Sequence, residues 1–100
     1  MKKLIIVLAA VLTASMAFAH TALMACFAEG EGKVTCEGGF SDGSSAAGSK
    51  FRVKQNGKTV FEGKFDQNSE ITFAKPAGEY QAVLDAGDGH KVIVKSKDIN

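Results

Sequence analysis

Over residues 50–54 apolar and basic side chains take strict turns, Lys-Phe-Arg-Val-Lys, and residues 70–73 repeat the pattern as Glu-Ile-Thr-Phe. A period of two sends successive side chains to opposite faces of an extended chain. Both segments therefore predict strands with one face in a core and the other in water. Short β-rich runs bounded by Gly, Ser, Asn and Asp recur at residues 21–28, 33–40, 50–55, 58–63, 69–74, 79–86 and 90–95. No sustained three-to-four spacing of apolar residues predicts a helix. Seven short strands with frequent turn signals predict an all-β domain, either a sandwich or a small barrel. Within it, Gln55-Asn56-Gly57-Lys58 is the strongest hairpin signal, because Asn-Gly accepts the positive φ angles of a type I′ turn. Residues 40–48, Phe-Ser-Asp-Gly-Ser-Ser-Ala-Ala-Gly, read as a flexible surface connection.

The amino-terminal pattern is of another kind. Met1-Lys2-Lys3 leads into an apolar run over residues 4–12, and Ala17-Phe18-Ala19 closes the segment. A basic start, an apolar centre and an Ala-x-Ala ending predict a secretory signal peptide over residues 1–19. The run is too short, and too soon followed by small and polar residues, to predict a bilayer span. Cleavage behind Ala19 takes nineteen of the 100 residues and leaves 81, a single domain over residues 20–100. Periplasmic or secreted localisation follows. So does the absence of an integral span from the mature chain.

Losing Lys2 and Lys3 takes the balance from 12 basic and 11 acidic side chains to 10 and 11. A near-neutral domain with no run of like charge argues against nucleic acid or an anionic membrane surface as partner. A monomer is the expectation. A domain this small buries only about 60 % of its unfolded surface and usually needs help to be stable, which two cysteines in an exported chain offer.

Cys26 and Cys36 lie symmetrically about Glu31, inside a Gly-rich turn. In a hairpin centred there the two cysteines face each other, at a separation that suits a disulfide. The spacing does not match a Cys-x-x-Cys redox pair, and an oxidising compartment disfavours a thiolate metal site. Lipidation is the rival. Leu23-Met24-Ala25-Cys26 resembles a lipobox, and cleavage there would leave a lipoprotein anchored through Cys26, with Cys36 unpaired and half of the first strand lost.

Two histidines are present, His20 and His90. Cleavage behind Ala19 gives His20 a free α-amino group beside its imidazole. Amine and ring Nδ1 close one chelate ring on a metal ion, and a second imidazole adds a third nitrogen. Nitrogen donors of this kind suit Ni(II), Co(II), Cu(II) or Zn(II) rather than Mg or Ca. Met24 shares strand parity with His20 and is a possible auxiliary ligand, as is Asp88 beside His90; Asp85 offers a further carboxylate near that imidazole. The bland alternatives are a core methionine and an Asp/Gly turn. There is no serine elbow, no cysteine–histidine pair free for catalysis and no evident pair of buried carboxylates, so a non-enzymatic role is expected.

The order of these pieces resembles a known family. A first-residue histidine, the segment Phe40-Ser41-Asp42-Gly43, the run Ile71-Thr72-Phe73, then Pro76-Ala77-Gly78-Glu79-Tyr80 and a closing Ala-Gly-Asp-Gly-His at residues 86–90 span nearly all of the mature chain. This is similar to the small periplasmic accessory component of energy-coupling-factor nickel/cobalt uptake systems, and more broadly to the carboxypeptidase-regulatory-like and transthyretin-like group. The resemblance implies a seven-stranded Greek-key β-sandwich. It also implies a divalent transition metal, Ni(II) or Co(II) with Cu(II) next, held through His20 and His90, and a membrane metal transporter as partner. Two departures are visible. No apolar tail precedes Asn100, which favours a free periplasmic protein, and the cysteine pair is not a feature of the nickel relatives. The competing expectation is a non-catalytic β-sandwich interaction module without a metal role.

Overall fold

The computed structural model describes residues 21–87 and 89–100, and over them the chain is all-β. Seven strands form two antiparallel sheets. They are β1 (Ala22–Gly30), β2 (Lys33–Phe40), β3 (Lys50–Gln55), β4 (Lys58–Lys64), β5 (Glu70–Ala74), β6 (Gln81–Asp85) and β7 (Lys91–Lys95). One sheet has the order β1-β2-β5 and the other β4-β3-β6-β7. A single turn of 3-10 helix, Ser96–Asp98, follows β7. Among the described residues no helix is long and apolar enough to cross a membrane.

The alternation read from the sequence decides which side chains meet between the sheets. Val34, Cys36 and Phe73 from the three-stranded sheet pack against Phe51, Val53, Ala82 and Leu84 from the four-stranded one, and all are buried. Residues of the other parity face outward. Thr35 and Thr72, paired across β2 and β5, are linked through their hydroxyls at 2.7 Å, which satisfies the buried Thr35.

The turns are those the sequence chemistry demands. Asn56 and Gly57 take φ values of 50° and 75°, as a type I′ hairpin requires. The β1–β2 hairpin pairs Ala22 with Phe40, Cys26 with Cys36 and Ala28 with Val34, and only next to the turn does a bulge interrupt the register.

Residues 40–48 are more than a connection. Ala46 is fully buried, and its N–H donates to the hydroxyl of Ser69, which is itself linked to the Ser45 hydroxyl at 2.7 Å. The expectation of a flexible surface segment missed this plug, because one small side chain entering a core leaves no periodic trace. Phe65, just past β4, and Tyr80, just before β6, likewise complete the core from outside the strands.

The two sheets approach most closely at Gly38. A Cβ there would lie 2.7 Å from Leu84 Cδ1 and 3.1 Å from both Ala46 Cβ and Phe65 Cε1. These three neighbours are themselves buried and have nowhere to retreat. Gly38→Ala is expected to cost about 2 kcal/mol, within the usual range for overpacking. Gly39→Ala is the control, since its Cβ would meet only the Ser44 carbonyl oxygen at 3.7 Å. Urea unfolding of both variants checks the pair, and equal midpoints would mean that the sheets part easily at this point.

Candidate functional site

Parity and stacking bring several of the singled-out segments to one end of the molecule. The Met24–Gly38 pair of one sheet lies over the Leu84–Val92 pair of the other, as the close approach of Gly38 to Leu84 shows. Val92 and residues 22–25 line one shallow depression. At the far end the N–H of Ala28 donates to the carbonyl of Asn100 at 2.8 Å. The edge strands β1 and β7 therefore run side by side in the same direction, and the start of β1 lies near the start of β7.

Three features share that end. Thr21, the first described residue, donates its N–H to the Ser41 hydroxyl at 3.2 Å and accepts from the Ser41 N–H at 2.9 Å. This ties the entry to β1 to the Phe40–Gly43 turn, which Asp42 stiffens by accepting from the Ser44 N–H and hydroxyl. His90 closes the β6–β7 connection: its carbonyl accepts from the Ala86 N–H, and its own N–H donates to the Gly87 carbonyl. The side chain of His90 is exposed and makes no hydrogen bond to another described residue.

His20 and Asp88, both singled out from the sequence, lie outside the described residues. Met24 is half-buried and packs against the core on the same inward parity as Ala22 and Cys26. Among the described residues no group of three or more His, Cys, Asp and Glu side chains is placed to hold a metal ion. Of the donors considered, His90 is the described one with an imidazole open to an incoming ligand.

Asp85 is engaged elsewhere. Its carboxylate accepts from Arg52 Nη2 at 2.8 Å and from the Gly87 N–H at 3.0 Å, so it supports the turn that carries His90 rather than the imidazole itself. The Arg52 hydrogen bond, then that from Gly87, holds its carboxyl below the usual carboxylate range. A depressed native pKa contributes stability that is present above the unfolded value, about 3.9, and lost as pH falls through the lower native one. Asp85→Asn is therefore expected to lower the melting temperature at neutral pH, with the difference from the parent vanishing in strong acid. Thermal melts across the acid range check the convergence.

Cys26 and Cys36 are joined in a disulfide with a Cα–Cα distance of 4.0 Å. The outward bond of Ala28 and the inward bond of Thr21 fix the alternation along β1. Odd-numbered residues bond β2 and even-numbered ones face the open edge. The cysteines are thus a non-hydrogen-bonded pair, the closer of the two kinds. A cysteine in a disulfide has no thiol left for a lipid thioether. The bond fits an oxidising, extracytoplasmic compartment.

These observations define a small two-sheet β protein with one internal staple and an end built from three chain segments. No described protein family, characterised protein or solved structure matches the chain.

Proposed function

We propose that this is a periplasmic metal-binding accessory protein with the transthyretin-like Greek-key sandwich, handling Ni(II) or Co(II), with Cu(II) next, and serving a membrane metal transporter. Its signal peptide, residues 1–19, is removed, and the α-amine and imidazole of His20 chelate the ion while His90 supplies a further nitrogen. The observation that carries the reading is the shared end: β1 and β7 run side by side, so Thr21, which directly follows His20, lies near the strand that His90 opens. The fit of donors supports it as well, because the exposed His90 imidazole is open while both cysteines are spent in the disulfide. The role is capture and delivery rather than catalysis.

Calorimetric titration of the processed protein with Ni(II), beside a form carrying one extra residue before His20, tests the chelate. The extra residue is expected to abolish tight binding. His90→Ala is expected to weaken binding at least about ten-fold, the size of effect seen when a ligand's support is lost. Equal binding by all three proteins, or by none, leaves the interaction-module alternative standing.

A further inference from the structure

The outward face of the four-stranded sheet gathers charges that the sequence scatters. Register places Lys64, Lys50, Asp85 and Lys91 in one row across β4, β3, β6 and β7. The next row is Glu62, Arg52, Val83 and Ile93, and the third is Thr59, Lys54, Gln81 and Lys95. Six basic side chains thus share a face with two acidic ones, and one of those two, Asp85, is bound to Arg52. Lys54 and Lys95 pair with no carboxylate among the described residues. With Lys97, and with Glu79 as its one carboxylate among the described residues, they also line a cleft of about 550 Å³ at the Asn56–Gly57 end of the face. The outward face of the other sheet has a different character, with Glu37 directly opposite Glu70.

An apolar centre sits inside this basic field. Val83 lies under its neighbours, but Ile93 is 55 % exposed and stands between Lys91 and Lys95 on the same face of β7. None of the twelve side chains in the three rows is aromatic.

We propose that this face docks the protein flat on an anionic phospholipid surface. Lysines near such a surface each strengthen attachment about five-fold, the attraction reaching roughly a Debye length. Their aliphatic stems lie along the boundary with the ammonium groups in the headgroup layer, while Ile93 enters it. The occupant follows from the chemistry of the face. Single-stranded nucleic acid is held by stacking on aromatic side chains; the three rows carry none, and Tyr80, which lines the cleft, is buried. A protein partner needs buried apolar anchors, whereas here one exposed isoleucine stands among charged side chains and the cleft beyond it is lined mainly by polar and charged ones. No run of like charge along the sequence marks this face, because alternation spreads its lysines over every second position. Every second residue of 50–54 and of 91–95 contributes to it.

The inference is independent of the metal reading and is tested with a chelator present. The protein is recovered after export from the producing cell, its terminus checked by intact mass. It is then sedimented with phosphatidylcholine vesicles with and without phosphatidylglycerol. Binding is expected to need phosphatidylglycerol, to fall as salt rises, and to drop on the order of a hundred-fold in the Lys54→Gln/Lys91→Gln/Lys95→Gln variant. Lys33→Gln, on the opposite sheet, is expected to leave it unchanged. Circular dichroism of both variants confirms that they keep the parent fold. Ile93→Ser tests the apolar contact with no change of charge and is expected to weaken binding. No sedimentation, equal binding to neutral vesicles, indifference to the triple substitution, or capture by heparin without capture by vesicles overturns the proposal.

Discussion

Phe51→Ala is expected to cost about 3–5 kcal/mol, the usual range for deleting a buried ring. Phe51 is 0 % exposed and sits where both sheets and a connecting segment meet. Its ring lies 5.4 Å from that of Phe73 in the opposite sheet, 5.6 Å from that of Phe65 beyond β4 and 6.2 Å from that of Phe61 on the neighbouring strand. Truncation removes a partner from all three at once, and the two sheets cannot collapse onto the gap without breaking the packing of Leu84 over Gly38. At about 0.05–0.15 kcal/mol per residue, a domain of this size holds only on the order of 4–12 kcal/mol in all. The substitution therefore removes a large share of the total, and at the lower end of that range it leaves the variant partly unfolded at room temperature. Phe51→Leu keeps most of the volume and should lose about 1 kcal/mol, mainly the aromatic contacts. Phe61→Ala, at a sheet edge and 36 % exposed, should fall between the two. Urea titration orders the three variants; a loss below about 1 kcal/mol for Phe51→Ala would show that the core closes without this ring.

That central position was half legible in the sequence. The alternation around Phe51 and Val53 gives the strand and its inward face, and the symmetry of Cys26 and Cys36 about Glu31 gives the register of the first hairpin to the residue. Asn56-Gly57 gives the second hairpin and its turn type. These are local signals, carried by residues within one or two elements. Which sheet each strand joins is not local. The chain passes from one sheet to the other after β2, after β4 and again after β5, and nothing in the alternation distinguishes such a crossing from another hairpin. Phe65 stands outside the strands, and Ala46 fills a gap whose shape Gly38, Phe65 and Leu84 create together; Tyr80 falls in the run read over residues 79–86, on the parity of Ala82 and Leu84, although the strand itself starts only at Gln81.

The same limit applies to function. Residues 50–54 and 91–95 each read as ordinary amphipathic strands, and only the intervening β6 makes their lysines neighbours on one face. For the metal reading, the sequence supplied the donors at positions 20 and 90. It was the parallel course of β1 and β7 that brought the start of the first strand near the start of the last.

Breaking the Cys26–Cys36 bond is expected to have the next largest effect, about 3 kcal/mol. The closed loop runs through eleven residues, with a sequence separation of 10, and the chain-entropy relation for a loop of that size gives this figure. For a domain of under a hundred residues it corresponds to a fall in melting temperature of roughly 12–24 °C. The loss should not be spread evenly. β1 is an edge strand whose inward side chains are Ala22, Met24, Cys26 and Ala28; of these only Ala22 is fully buried, and within its sheet β1 pairs with β2 alone. β3 is flanked on both sides and carries Phe51 and Val53. Opening of β1 should therefore precede global unfolding once the staple is gone, as expected where few apolar contacts hold an element. The amides of Leu23, Ala25 and Phe27, which bond β2, should lose most of their protection from hydrogen exchange, while those of β3 keep theirs. Reduction should also weaken Ni(II) binding if His20 is a ligand, because β1 positions the chain that enters at Thr21. The Cys26→Ala/Cys36→Ala variant separates the cross-link from any chemistry of free thiols. An unchanged melting temperature together with undiminished protection in β1 would mean that β1–β2 pairing holds this edge without its staple.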